Sequence, residues 1–333
     1  VKLTIVGPEQ PLVDGIVDYF QARGLAIFGP SADAAQLEGS KAFTKDFLER
    51  QKIPTAAYGN FTDVDAALNY LHQVGAPIVI KADGLAAGKG VLIIEDLEEA
   101  KSELREMLVN GKFGEASSKV VIEEFLEGIE LSCFVLTDGK NYKILPTAKD
   151  YKRIGKGDTG LNTGGMGAVS PVPFVDSILL EKIENRIVKP TIAGFQKDNI
   201  DYKGFVFIGL INVNGEPIVI EYNVRMGDPE TEVVIPRIKS DLVGLFEAVA
   251  KEKLDEVSLE IDDRSVTTIM MVSGGYPEEY EKDKIITVND SVSKVYNSIK
   301  EQLIISPYSA IEDDFAPSRF IQASETDFNI KEK

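Results

Sequence analysis

Over residues 1–58 short apolar runs alternate with stretches whose apolar positions recur at helical spacing. Val1 to Val6 reads as a buried strand entering the Gly7-Pro8 turn. The pattern then predicts a helix from Leu12 to Arg23, a short strand Ala26-Ile27-Phe28 before Gly29-Pro30, and a helix through Ser40 to Gln51. Over 59–125 it predicts a helix (Val64 to Val74), two strands (Ile78 to Lys81, Val91 to Ile94) joined by a glycine loop, a helix (Leu97 to Val109) and a strand (Val120 to Glu123). Segment 126–262 adds several strands, Leu131 to Leu136 among them, a long glycine-rich stretch, and helices near Ser177–Asp198 and Asp241–Lys251. From 263 a strand, Val266 to Val272, leads to Gly274-Gly275-Tyr276-Pro277, and the charged stretch from about 291 gives no assignable pattern. These four segments, 1–58, 59–125, 126–262 and 263–333, are the expected domains of an α/β, or α+β multidomain, chain.

Charge narrows the partners. With 54 acidic against 36 basic residues the formal net charge is −18, so most of the surface repels a polyanion and nucleic acid is not an expected partner. No apolar run approaches the ~18 residues of a membrane span, and the opening residues do not read as a signal-peptide pattern. Since no Met precedes Val1, the sequence reads as starting in mid-protein. One cysteine, Cys133, rules out a disulfide framework and fits a reducing cytoplasm; one histidine, His72, rules out a multi-His zinc site. His72 reads as surface on an amphipathic helix, and Cys133 as packing in a strand. No strained Gly-x-Ser-x-Gly turn is present, so covalent catalysis is not expected.

Four constellations carry chemistry. Lys81-Ala82-Asp83-Gly84-Leu85-Ala86-Ala87-Gly88-Lys89-Gly90-Val91 combines small residues, whose backbone N–H groups can converge on a polyphosphate, with lysines that offset its charge. It is no Walker loop: the spacing from Gly84 to Gly88 is one residue short, Gly90 stands where Ser or Thr belongs, and it joins two strands. The alternative is a ligand-free Gly/Ala hairpin. In Ile220-Glu221-Tyr222-Asn223-Val224-Arg225, strand alternation puts Glu221, Asn223 and Arg225 on one face. Two oxygen donors and a guanidinium suit a hard cation that bridges phosphates. The alternative is a polar strand face, though the row runs into Gly227-Asp228-Pro229-Glu230, a turn with further carboxylates.

The third, Val120 to Glu130, turns from an apolar strand into an acidic stretch. It is either a plain strand end or a reader of a purine edge through backbone groups, with Glu130 accepting from ribose hydroxyls. In the fourth, Lys149 to Ile154 followed by Gly157-Asp158-Thr159-Gly160 and Asn162-Thr163-Gly164-Gly165-Met166-Gly167-Ala168, glycines let backbone N–H groups approach a carboxylate or acyl phosphate, and Asp150 suits an ammonium. A solvated loop is the alternative.

Together these strings, with Gly7-Pro8-Glu9, Pro11-Leu12 and Leu37-Glu38-Gly39-Ser40-Lys41-Ala42-Phe43-Thr44-Lys45, resemble the glycinamide ribonucleotide synthetase (phosphoribosylamine–glycine ligase) family of ATP-grasp enzymes over about residues 1–290. The resemblance implies an ATP-grasp fold with a partial N-terminal α/β (pre-ATP-grasp) domain, a small flap subdomain, a large subdomain and a partial C-terminal domain. It implies ATP-dependent ligation of glycine to 5-phosphoribosylamine through glycyl phosphate in cytoplasmic purine biosynthesis, with ATP and Mg²⁺ or Mn²⁺. Lys41 and Lys81 would contact the phosphates under the flap of Gly84, Gly88, Lys89 and Gly90. Glu123, Phe125, Leu126 and Glu130 would serve the adenosine, and Glu221 and Asn223 the metal. Arg225, with Lys81, would support the transferring phosphoryl group. Asp150, Asn162, Thr163, Gly164, Gly165, Met166 and Gly167, with Asp228, would form the glycine pocket, and Gly7, Pro8 and Glu9 part of the amine site. The family's glycine-rich opening turn and its late His-Ala-Gly-Thr and Asn-Gly-Gly-Arg segments have no counterpart here. Monomer and dimer both stay open, as do three other readings: another ATP-grasp carboxylate–amine ligase, a non-catalytic nucleotide-binding fragment and a sugar-phosphate scaffold.

Overall fold

The computed structural model describes residues 2–85, 90–157 and 159–283, and, as backbone only, 285–288, 303–305 and 328–331. Gly88, Lys89 and most of the stretch after 291 lie outside the described residues. The chain alternates between two compact units. One holds Val1–Ile144, Val175–Met226 and Leu242–Ser258; the other holds Leu145–Phe174, Gly227–Asp241 and Leu259–Lys333.

In the first unit, a four-stranded antiparallel sheet runs in the order Tyr58–Phe61, Val120–Glu124, Ile78–Ala82, Val91–Ile94. Two-residue periodicity decides its faces. Ile78, Ile80, Val120 and Ile122 meet Ala67, Leu71, Ala100, Leu104 and Met107 of the helices Val64–Val74 and Leu97–Leu108, all buried. Each helix starts at an aspartate whose carboxylate accepts a first-turn N–H: Asp63 from Ala66 and Asp96 from Glu99, both at 2.8 Å. The intervening positions, Val79, Lys81, Val121 and Glu123, therefore project from the opposite face.

A second four-stranded sheet of this unit has the order Glu216–Asn223, Gly204–Val213, Ile129–Thr137, Tyr142–Ile144, antiparallel throughout. Its edge carries a bulge: Leu210 pairs with Val219 and Gly209 with Glu221, leaving Ile220 as the extra residue. Behind it lies the segment predicted as one helix near Ser177–Asp198. It is three pieces, Ser177–Ile183, a π-helical turn Glu184–Val188 and Lys189–Lys197. Pro190 has no N–H to give back along the helix, and the wider turn sits immediately before it.

The N-terminal portion departs from its pattern more. A parallel pair, Thr4–Ile5 with Ile27–Phe28, is flanked by helices, but the helix expected from Leu12 to Arg23 is two, Glu9–Val13 and Ile16–Gln21. Gly15 divides them at φ +85°, a left-handed conformation a continuous helix excludes. Helix Ala32–Gly39 was not anticipated; its buried side is mostly Ala34, Ala35 and the acidic Glu38, which dilutes the apolar period. The helix through Ser40 to Gln51 is Lys41–Arg50, with the Ser40 hydroxyl accepting from Phe43 N at 3.1 Å.

The second unit contains a four-stranded sheet in the order Leu303–Ile305, Ser265–Ile269, Gly167–Ser170, Lys149–Asp150. The hairpin Arg153–Gly155 with Thr159–Asn162 stands beside the last strand in sequence. Buried Arg237 donates to Ser170 Oγ at 2.8 Å and to the Asp262 carbonyl at 3.1 Å, tying the sheet to the segment that leads into its strand Ser265–Ile269. No helix among the described residues is long and apolar enough to cross a membrane.

Leu104 has no exposure between helix and sheet, whereas Val109 at the helix end is 64% exposed. Leu104→Ala is expected to cost about 2–5 kcal/mol in urea unfolding, and Val109→Ala within about 0.5 kcal/mol.

Candidate active site

The first unit holds a cleft of about 260 Å³ between its two four-stranded sheets and the helix Lys41–Arg50. Its walls include Lys41, Lys45 and Lys81 on one side and Glu221, Asn223 and Arg225 on the other. Burial and a shared partner make the lysines unusual. Lys81, from the inner strand of the first sheet, and Lys45, one helical turn after Lys41, both reach Glu123, each with Nζ 2.8 Å from a different carboxylate oxygen. All three side chains are at most 4% exposed. Lys81 stands off the direction for a hydrogen bond to Glu123 Oε1, so that contact is Coulombic. It donates instead to the carbonyl of Ile220, the bulge residue, at 3.3 Å. Lys45 donates to Thr55 Oγ1 at 2.7 Å, and that hydroxyl donates to the Val219 carbonyl at 2.8 Å. Burial lowers the Lys45 pKa, opposed by Glu123 and reinforced by Lys81.

The root of the glycine loop is tied to the same helix. Asp83 accepts from Ser40 Oγ at 3.0 Å and from Ala42 N at 2.7 Å, while Lys41 Nζ donates to the Gly84 carbonyl at 3.1 Å. Burial also lowers the Lys41 pKa, with Glu221 acting against it. Residues 86–89, between Leu85 and Gly90, are outside the described residues.

Across the cleft the strand Glu216–Asn223 ends at Asn223, and Arg225 follows in a bend, so the row of three expected on one strand is two strand residues and a bend residue. Glu221 pairs with Gly209 and Asn223 with Phe207, two apart on the partner strand, which keeps both on one face. Tyr222 turns the other way and shares a 2.5 Å hydrogen bond with Thr191. Arg225 is held by carboxylates: Nη2 lies 2.9 Å from Glu38 Oε1, Nε 3.4 Å from Glu9 Oε2, and Nη2 reaches Asn223 Oδ1 at 3.4 Å. Glu38 also accepts Val224 N at 2.8 Å. Burial raises its pKa to about 6, against the pull of Arg225 and Val224.

The cleft thus gathers Glu9, Lys41, Lys81, Gly90, Glu123, Glu221, Asn223 and Arg225 from the sequence-based set. Glu123, expected beside the adenosine, sits between two ammonium groups. Gly84 touches the site through its carbonyl, and Gly7 and Pro8 lead into the helix that Glu9 begins. Phe125 and Leu126 are half-buried in the link between the two sheets, and Glu130 is exposed at the start of the strand Ile129–Thr137. Asp150, Asn162 to Gly167 and Asp228 belong to the second unit. There Asp150 is buried, with Lys152 Nζ at 3.6 Å. Thr163 Oγ1 accepts Gly165 N at 3.0 Å, and a Cβ on Gly165 would fall 2.3 Å from Pro229 Cδ, so only glycine fits beside the Asp228-Pro229 turn. Among residues the sequence did not single out, Lys45 and Glu38 are central. Both stand in the quoted Leu37-to-Lys45 string, and the four-residue spacing of Lys41 and Lys45 on one helix face was the available signal.

Residues 39–231 match the family model "Phosphoribosylglycinamide synthetase, ATP-grasp (A) domain", and residues 1–38 match its "N domain". The chain belongs to the phosphoribosylglycinamide synthetase family. Within it, the chain is 54% identical over 287 residues to "Phosphoribosylamine--glycine ligase" of Pseudomonas aeruginosa, covering 86% of this chain and 67% of that one. It is 53% identical to a bifunctional purine biosynthetic protein of Pichia angusta, of which it covers 37%. The solved phosphoribosylamine–glycine ligase of Thermotoga maritima superposes with a TM-score of 0.74 at 37% identity, over 79% of this chain and 66% of that one. A D-alanine–D-alanine ligase of Bacillus anthracis, TM-score 0.54 at 21% identity, shares the fold. The chain is an ATP-grasp ligase by family, and the family implies ATP with a divalent metal.

Because the Glu38 pKa is raised in the folded state, its burial is free of penalty below its ordinary value of 4.5 and costs stability as pH rises through about 6. The stability of the natural chain relative to Glu38→Gln is therefore expected to fall by about 2 kcal/mol in all from well below the first pH value to well above the second, with a little over half of that fall, about 1 kcal/mol, between the two. Urea unfolding of both chains across that range checks it.

Proposed function

We propose that this cleft binds the triphosphate of ATP and that the chain joins glycine to 5-phosphoribosylamine through glycyl phosphate, as the names of its relatives suggest. The observation that carries the reading is that Lys81 and Glu221, from two different sheets, line one cleft. The cleft's four cations, Lys41, Lys45, Lys81 and Arg225, are matched by Glu9, Glu38, Glu123 and Glu221, so its lining is neutral in a chain that as a whole carries −18.

Glycine's carboxylate oxygen attacks the γ-phosphorus, ADP leaves, and the amine of phosphoribosylamine then displaces phosphate from the acyl carbon. Such transfer needs positioning and charge stabilisation more than a side-chain nucleophile. Lys81 and Lys41 hold the phosphate oxygens; Arg225, kept in place by Glu38 and Glu9, faces the transferring group. The donor set fits a magnesium or manganese ion: Glu221 and Asn223, which offer two oxygens on one strand face, would hold it. Such an ion would offset charge on the β- and γ-phosphates. The backbone around Phe125 and Leu126 meets the adenine, and Glu130 the ribose. Asp150, the Asn162–Gly167 loop and Asp228 receive glycine, and the Gly7-Pro8-Glu9 turn the amine. The setting is cytoplasmic, as monomer or dimer.

ADP release is expected to require both glycine and freshly generated phosphoribosylamine, with bicarbonate or D-alanine unable to replace glycine. Equal release with either replacement would point to another ATP-grasp ligase. A melting temperature raised by MgATP without ADP release would point to a binding module. Glu221→Ala is expected to abolish ADP formation while leaving the circular dichroism unchanged; natural turnover in that variant would remove Glu221 from the metal site.

A further inference from the structure

Three buried side chains, Lys45, Glu123 and Lys81, carry two positive charges and one negative. Lys81 is the member placed against the phosphates, and Glu123 alone would cancel its charge. Both lysines are buried, but Lys45 has a short hydrogen bond to Thr55 Oγ1 at 2.7 Å beside its contact with Glu123 Oε2, whereas Lys81 meets Glu123 Oε1 without a hydrogen bond and donates only to the Ile220 carbonyl at 3.3 Å. Lys45 meets the Glu123 oxygen that Lys81 does not, and Thr55 anchors it to the Val219 carbonyl. We propose that Lys45 is a positioning residue that takes up the charge of Glu123, so that Lys81 keeps a net positive charge for the triphosphate.

The arithmetic of charge makes this separable from plain packing. With Lys45 present the triad sums to +1. With Lys45 replaced by an apolar residue it sums to zero, and Glu123 binds Lys81 alone. With Glu123 neutralised as well, Lys81 again stands as a single cation. Buried ions respond strongly to such changes because little water screens them. Nearby Lys41 and Glu221 are common to every variant and cancel in the comparison.

The proposal rests on the nucleotide reading, and calorimetric titration with MgATP distinguishes the two. The natural chain is titrated beside Lys45→Met and the double variant Lys45→Met with Glu123→Gln. Expected is at least a tenfold weaker Kd for Lys45→Met and recovery to within about threefold of the natural value in the double variant. A structural role alone would leave the double variant no better than the single. Equal binding by Lys45→Met and the natural chain would overturn the proposal, as would tenfold or weaker binding by the double variant. Should Lys45→Met fail to fold, the double variant decides by the same limits. Absence of binding by the natural chain would overturn the nucleotide reading and this proposal with it.

Discussion

Everything at the cleft depends on burying charge where two sheets meet. Moving an ammonium out of water is costly unless its charge and its donors are met, and here two such groups and one carboxylate are withdrawn together. Each sheet contributes what the other lacks. The first supplies Lys81 and Glu123 on the face its helices leave uncovered, and the second supplies the carbonyls of Ile220 and, through Thr55, Val219. Helix Lys41–Arg50 brings Lys45 to complete the set. A sheet that turns polar residues inward only where another element answers them is what gives a mostly apolar interior one reactive seam.

The same logic explains the far wall. Glu38 and Glu9 flank Arg225, so its guanidinium is held by side chains from two N-terminal helices. Those helices, Glu9–Val13 and Ala32–Gly39, are short, the first cut off from Ile16–Gln21 by Gly15, and their contribution to the site is the placement of two carboxylates. Asp83 does related work at the loop root, accepting from both Ser40 and Ala42, so the entry to the glycine loop and the start of the helix share one anchor.

Much of this was legible in the sequence, and the failures have physical causes. The strands Ile78–Ala82 and Val120–Glu124 announced themselves because Ile78, Ile80 and Ala82 on one, and Val120 and Ile122 on the other, alternate as an aliphatic face, which also marked Lys81 and Glu123 as exceptions. Glu221 and Asn223 followed from simple alternation, which holds past the bulge from Glu221 to Asn223. Helix Ala32–Gly39 and strand Tyr58–Phe61 were invisible because the first buries alanines and a glutamate and the second is short and polar. The partner of Glu123 could not be read at all. A carboxylate at a strand end looks alike whether it meets a ribose or a lysine from a helix that lies many residues earlier. The family resemblance supplied the chemistry there, while Lys45 needed coordinates.

The extra residue at position 220 has a consequence of its own. By slipping one residue out of register, the edge strand frees a main-chain oxygen and turns it toward Lys81. That oxygen is present whatever amino acid occupies the position, so evolution can exchange the side chain there freely and still keep the lysine anchored. Lengthening or shortening the strand by one residue is another matter, since it would erase the anchor without altering any functional side chain.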